Sequence, residues 1–203
     1  MALGGVVVGR AGGTEIPQWV LRYQLPLCFT QPMVTRVANP ASQEPVHLNN
    51  TDIGFLRRAI ELADLSRVHH NHPFGAVIVL DGQTISSAED ESLRSGHCRS
   101  HAESIAIHRA ESELGPNARV LLERATIYSS TEPCYMCGGA ILLSGIQRVV
   151  FGCSGKTFRS FRPQKKYLPL RELTDLIGGS LTIIGPALED EAVKSHLDYW
   201  KAF

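Results

Sequence analysis

Residues 129–137 read SSTEPCYMC, and the junction inside this stretch decides the fold. The β-rich run 125–130 (ATIYSS) predicts a strand, and 134–144, closed by Gly145, predicts a helix. Pro133 suits the entry to that helix, because its ring fixes φ near the helical value and the N–H it lacks has no partner in a first turn. Cys134 and Cys137, at i and i+3, share one helix face, so both sulfurs reach one point in space. Taken alone, the pair fits a redox couple, a structural zinc knuckle or half of a catalytic site.

Outward from this junction, strands and helices alternate. Upstream, 101–113 predicts a helix with an apolar face of Ile105, Ala106, Ile107 and Ala110, stopped by Gly115-Pro116-Asn117, and a polar loop through Gly96 precedes it. The runs 75–80 (GAVIVL) and 83–88 flank Asp81-Gly82, a favoured two-residue turn, and predict an antiparallel hairpin. Asn49-Asn50-Thr51-Asp52 supplies N-cap candidates for a helix over 51–67, where Ile53, Leu56, Ile60 and Ala63 recur at helical spacing. Downstream, 147–152 and 181–184 predict strands, 168–177 and 188–200 predict helices, and Gly178-Gly179 turns the chain. The order α-β-β-α-β-α-β-α-β-α implies helices on both faces of a mixed sheet.

The chain's 203 residues suffice for one well-buried core. The expected organisation is an N-terminal extension over 1–49, whose irregular Gly/Val, aromatic and proline content gives no periodicity, and one domain over 50–203. The 20 basic residues match the 20 acidic ones, so no global field recruits a polyanion. The five cysteines are odd in number and no basic segment followed by an apolar stretch opens the chain, which predicts a cytoplasmic, reducing setting. The apolar run 3–9 is far below the roughly 20 residues a membrane helix needs, so no membrane partner is expected.

The helix over 101–113 opens with His101-Ala102-Glu103. A His-x-Glu followed by Pro-Cys-x-x-Cys, both at helix N-termini, matches the signature H-x-E…P-C-x-x-C of zinc deaminases. The placement has a physical reason: unpaired N–H groups and the positive dipole end of a helix favour the thiolate that zinc requires. His101, Cys134 and Cys137 make three ligands where structural zinc takes four, and the fourth position suits a water, leaving Glu103 free to move its proton. A structural zinc completed by His97, Cys98 or Cys153 is the competing reading.

At these residues the sequence resembles the cytidine-deaminase-like superfamily, and PCYMC is similar to the PCxMC form of guanine, cytosine and tRNA adenosine deaminases. The resemblance runs from about residue 51 to about residue 200 and includes PFGAVIV at 73–79. It implies a three-layer α/β/α sandwich around a five-stranded mixed sheet, Zn2+ on His101, Cys134 and Cys137, and Glu103 as the catalytic residue. It also implies a homodimer or larger oligomer, and hydrolytic replacement of an exocyclic amino group on a nitrogen heterocycle with release of ammonia. Ala102 and Pro133, beside the metal ligands, join the substrate-binding set, with groups around Pro133 and Cys134 positioning the tetrahedral intermediate.

Such relatives place an asparagine eleven residues before the zinc histidine, where this chain has Asp90. An ionised carboxylate only accepts hydrogen bonds, so Asp90, or Glu91 if the loop slips by one, is expected to select a ring edge rich in N–H donors; the alternative is a solvated loop acid. Cys98-Arg99-Ser100 replaces the usual proline and threonine before the histidine, which alters the pocket rim. Asn71 and His72 flank the same entry as pocket candidates, and Phe74 stands there as pocket wall or as core.

The segment 156–166 (KTFRSFRPQKK) carries five cations and no acid, interleaved with Phe158 and Phe161, a pattern compatible with nucleic acid. Neutral overall charge and the acidic run Glu189-Asp190-Glu191 favour a small amino-heterocycle, purine-like or related, over tRNA. A zinc-binding scaffold without activity is a third reading, against which Glu103 stands, since it is not needed to hold the metal.

Overall fold

The computed structural model describes residues 48–163 and 166–202. The expectations for residues 1–47, Lys165 and Phe203 lie outside the described residues.

Helix α1 (Asn50–Val68) starts where the sequence offers caps. Asn49 Oδ1 accepts from the Asp52 N–H at 2.8 Å, and Asp52 Oδ2 accepts from the Asn49 N–H at 3.1 Å, a reciprocal capping box. Strands β1 (Gly75–Leu80) and β2 (Gln83–Glu89) form the expected hairpin. Asp81 and Gly82 take φ of 50° and 80°, the paired positive values of a tight hairpin turn. Then come α2 (Ser92–Ser95), α3 (Ala102–Leu114), α4 (Ala118–Leu122), β3 (Thr126–Thr131), α5 (Tyr135–Ser144) and β4 (Arg148–Cys153). Helices α6 (Gly155–Phe161) and α7 (Leu170–Leu176), strand β5 (Thr182–Ile184) and α8 (Glu189–Ala192) complete the order, with 3-10 turns at Gly115–Asn117, Val193–His196 and Tyr199–Ala202.

The five strands lie in the order β2-β1-β3-β4-β5; β1 runs antiparallel to both neighbours and β3, β4 and β5 run parallel. Alternation along β1 sorts the core into two faces. Ala76 and Ile78 pack with α3, α4, α5 and α7, through Ala106, Leu122, Ile141 and Leu170. Val77 and Val79 pack with α1 and α8, through Leu56, Ile60 and Ala192. The result is a three-layer α/β/α sandwich. Gly75 marks where α1 presses closest on the sheet: a Cβ there would lie 2.3 Å from the Ala59 carbonyl oxygen and 2.6 Å from Leu62 Cβ. Among the described residues no helix is long and apolar enough to cross a membrane.

The structure departs from the sequence reading in short elements. Helix α2 lies in the stretch predicted as a polar loop and α4 over residues for which the sequence predicts no element, since four and five residues are too few for periodicity to register. The basic segment is helical in its first half, because Ser154 Oγ accepts from the Thr157 N–H at 3.1 Å and caps α6. The last predicted helix, 188–200, is broken: Asp198 adopts φ 62°, a left-handed conformation that aspartate tolerates, and the chain turns there.

Candidate active site

His101 and Cys134 stand at the N-cap positions of α3 and α5, both with extended backbone (φ −76°, ψ 151° and φ −66°, ψ 167°). Helices α3 and α5 pack on each other, which brings their N-termini together. Nδ1 of His101 lies 3.6 Å from each of the two sulfurs, Cys134 Sγ and Cys137 Sγ, and all three ligand atoms fall within 4.8 Å of one another. A tetrahedral zinc with bonds of about 2.0–2.1 Å to nitrogen and about 2.3 Å to sulfur needs a nitrogen–sulfur separation of about 3.6 Å. Donor chemistry and spacing therefore fit zinc. Among the described residues no other His, Cys, Asp or Glu joins the group, so His97, Cys98 and Cys153 do not complete a four-ligand structural site.

The two thiols are pushed in opposite directions. The hydrogen bond from Cys137 pulls Cys134 down to about 4, against its burial and with help from His101. The same bond, with burial and the nearby Glu103 charge, pushes Cys137 well up, and Ser104 Oγ, 3.6 Å from its sulfur, acts the other way. Burial disfavours charge on His101, but the Cys134 hydrogen bond and the charges of Glu103, Cys134 and Asp90 outweigh it and raise the imidazole. Glu103, 5% exposed, is raised by burial first and by the Cys134 charge second. Ser129 Oγ shares its single proton between Glu103 Oε1 at 3.0 Å and the Thr131 carbonyl at 2.7 Å, fixing the carboxyl in place.

These groups open on a pocket of about 100 Å³ whose wall includes His101, Glu103, Cys134, Phe74, Phe158 and Trp200. The Phe74 ring stacks beside His101, with centroids 6.5 Å apart. Thr131 also faces the pocket and is tied to the buried His196, whose Nε2 lies 2.8 Å from Thr131 Oγ1. Trp200 Nε1 donates to His196 Nδ1 at 3.2 Å. An indole nitrogen can only donate, so neutral His196 carries its proton on Nε2 and donates to Thr131.

The other candidate residues sit around this pocket, outside its lining. Asp90 is fully buried; its Oδ1 accepts from the Ser92 N–H at 2.9 Å and Ser92 Oγ–H at 2.6 Å, and its Oδ2 has no hydrogen-bond partner among the described residues. Asn71, also buried, uses Oδ1 to accept from the Arg94 N–H at 2.9 Å and Nδ2 to donate to the His69 carbonyl at 3.4 Å. Glu91 is half-buried between Arg109 at 3.5 Å and Arg94 at 3.8 Å. Ala102, just after His101, and Pro133, just before Cys134, are buried. Ser104, Ser129, Thr131 and His196 were not anticipated; the readable signal was a polar run, Ser129-Ser130-Thr131, ending an otherwise buried strand.

The family described as the cytidine and deoxycytidylate deaminase zinc-binding region matches residues 49–153. A probable cytosine deaminase of Schizosaccharomyces pombe is 34% identical over 158 residues, covering 75% of this chain and 94% of that protein. A tRNA-specific adenosine deaminase of Bacillus subtilis is 39% identical over 110 residues, 50% of this chain and 65% of that protein. Among solved structures, the guanine deaminase from Nitrosomonas europaea superposes with a TM-score of 0.64 at 18% identity, covering 79% of this chain and 89% of that one, a likeness of fold.

Proposed function

This chain belongs to the cytidine and deoxycytidylate deaminase family, whose members are zinc-dependent deaminases, and from that premise we propose that it removes the exocyclic amino group of a purine-like or related nitrogen heterocycle, as free base or nucleoside. The observation that carries the reading is the pocket itself. Its volume of about 100 Å³ suits a small planar heterocycle, which would lie among Phe74, Phe158 and Trp200 with Glu103, His101 and Cys134 in the same wall.

His101, Cys134 and Cys137 would hold zinc, which when bound would supply the Lewis acidity that activates a water at neutral pH. Glu103 accepts that water's proton and delivers it to the departing amine, so the ring carbon exchanges nitrogen for oxygen and ammonia leaves. The Ser129 hydrogen bond keeps the carboxyl aimed, while burial raises it toward the neutral form. Asp90, whose Oδ2 lacks a partner among the described residues, favours a ring edge that presents N–H donors.

The catalytic unit is residues 50–203, with 1–49 as an extension, and it works as a homodimer in the cytoplasm. Exposed Val120, Leu143, Leu176 and Ile177 support self-association, and free Cys98, Cys134, Cys137 and Cys153 suit a reducing compartment. A tRNA adenosine deaminase is the second reading, favoured by the Bacillus subtilis relative; its activity would fall steeply with salt. An ammonia-release screen of the zinc-loaded chain against guanine, adenine, cytosine, their nucleosides, aminopterins, aminotriazines and tRNA tests both. Release from none of these would overturn the proposed substrate class.

A further inference from the structure

We infer that the buried His196 is a positioning residue: it holds the Thr131 hydroxyl as a fixed hydrogen-bond donor toward the bound heterocycle, so that Thr131 selects a ring with an acceptor atom at that point. For the identity of the ligand the inference rests on the deaminase reading above; for the direction of the bond it rests on two side chains, Thr131 and His196, that reading does not use.

Thr131 is the last residue of β3 and shares one pocket wall with Glu103 and Cys134. Its Oγ1 lies 2.8 Å from Nε2 of His196, whose Nδ1 accepts from Trp200 Nε1–H at 3.2 Å. The indole can only donate, so the chain of hydrogen bonds runs one way, from Trp200 to His196 to Thr131. A doubly protonated ring would set Nδ1–H against the indole N–H, and burial, with the like charge of Arg67, favours the neutral imidazole. The ring is also held in place from outside the chain. Phe74 and Phe158, both in the pocket wall, lie with their centroids 5.5 and 5.3 Å from it. The 3-10 turn that carries His196 is tied to α1, where Arg67 Nη1 donates to the Ser195 carbonyl at 3.0 Å and Asp64 Oδ1 accepts from Ser195 Oγ–H at 2.7 Å.

A threonine hydroxyl carries one proton and two lone pairs, so by itself it serves a ring N–H as readily as a ring nitrogen or carbonyl. His196 removes that freedom. With one lone pair filled by Nε2–H, the hydroxyl proton points away from the imidazole, and among the described residues no hydrogen bond takes it. Thr131 is 3% exposed. A ligand N–H on the remaining lone pair would therefore leave the O–H buried without an acceptor, whereas a ligand acceptor completes the chain. The preference is opposite in sign to the one proposed for Asp90, and the two together describe a heterocycle that carries both an N–H donor and a separate acceptor.

The test measures Kd by equilibrium dialysis and ammonia-release kcat/KM on the zinc-loaded full-length chain. The probes are guanine, adenine and cytosine or the corresponding nucleosides, each beside analogues with one acceptor removed or weakened: the 3-deaza and 7-deaza purines, 6-thioguanine and 2-thiocytosine. The variants are Thr131→Ser, Thr131→Val, His196→Phe and the double variant Thr131→Val/His196→Phe. The readout is the parent-to-analogue ratio on one preparation, which a change in folded fraction does not move. For the parent that binds, one analogue should bind about tenfold or more weaker in the wild type and in Thr131→Ser, and about equally in Thr131→Val. His196→Phe should lower the ratio by about threefold or more, and should change nothing further once Thr131 is replaced by valine. Nitrogen NMR of the unmodified protein should find the His196 proton on Nε2. Ratios near one throughout, a ratio unaltered in Thr131→Val or in His196→Phe, or a His196 proton on Nδ1 would each overturn the inference. Ammonia release with ratios indifferent to both residues removes it and leaves the deaminase reading; a Thr131-dependent ratio in Kd without ammonia does the reverse. Neither binding nor turnover of any parent would overturn both.

Discussion

Lowering the pH should destabilise this fold through His196, a residue far in sequence from the metal ligands. His196 is 1% exposed, and burial, with Arg67 adding a like charge, holds its imidazole down to about 4 from an ordinary 6.5. Above the ordinary value both folded and unfolded chains carry it neutral, so it contributes no pH dependence there. As pH falls below 6.5 the unfolded chain takes up a proton that the native state refuses, and stability drops until pH approaches the folded value. Integrating between those two values gives a loss of about 2 kcal/mol from about pH 7.5 to about pH 5, approaching about 3 kcal/mol near pH 4. Urea unfolding at the two pH values, for wild type and for His196→Gln, isolates the group, because other titrations are common to both proteins. The variant should be less stable at pH 7.5, having lost part of the Thr131–His196–Trp200 chain, yet lose about 2 kcal/mol less on acidification. Parallel pH slopes in the two proteins would refute the reasoning.

Three further variants, one with a compensating second substitution, probe other parts of the structure. Arg148→Ala removes two hydrogen bonds to the buried Asp52, at 2.8 and 2.9 Å, and should cost about 3–5 kcal/mol in denaturant unfolding. Gly155→Ala would set a Cβ 1.9 Å from Tyr167 Cε2; displacing that ring breaks its bond to Glu132, so stability should fall by about 1–3 kcal/mol and substrate KM should rise. Adding Tyr167→Leu should recover part of that loss, which calorimetric melting would detect. Asp90→Asn replaces a buried acceptor by an amide that also donates, and should reorder the heterocycle ranking in ammonia-release assays by tenfold or more, within the roughly 10⁴–10⁵ that polar mismatch allows; an unchanged ranking and rate would mean Asp90 does not select the substrate.

The metal centre was legible because each half is local. His101 to Glu103 and Pro133 to Cys137 are contiguous in sequence, and the helices that carry them end on readable breakers, Gly115 and Gly145. The groups that tune the site were hidden for the opposite reason. Ser129 reaches Glu103 across 26 residues and His196 reaches Thr131 across 65, and no periodicity announces a contact of that span. His196 and Trp200 fall on one stripe of an imagined continuous helix, and the break at Asp198 is a single left-handed residue without glycine to flag it. Helix α6 was masked by its basic composition, though Ser154 three residues before Thr157 was a readable cap.

The central claim is that His101, Cys134 and Cys137 hold zinc while Glu103 moves protons for amine hydrolysis. Glu103→Gln tests it most directly, with zinc content by elemental analysis and ammonia release measured on one preparation. The account predicts wild-type zinc stoichiometry and activity reduced by about 10²–10⁴ or more. A variant that keeps its zinc and releases ammonia at the wild-type rate would contradict it.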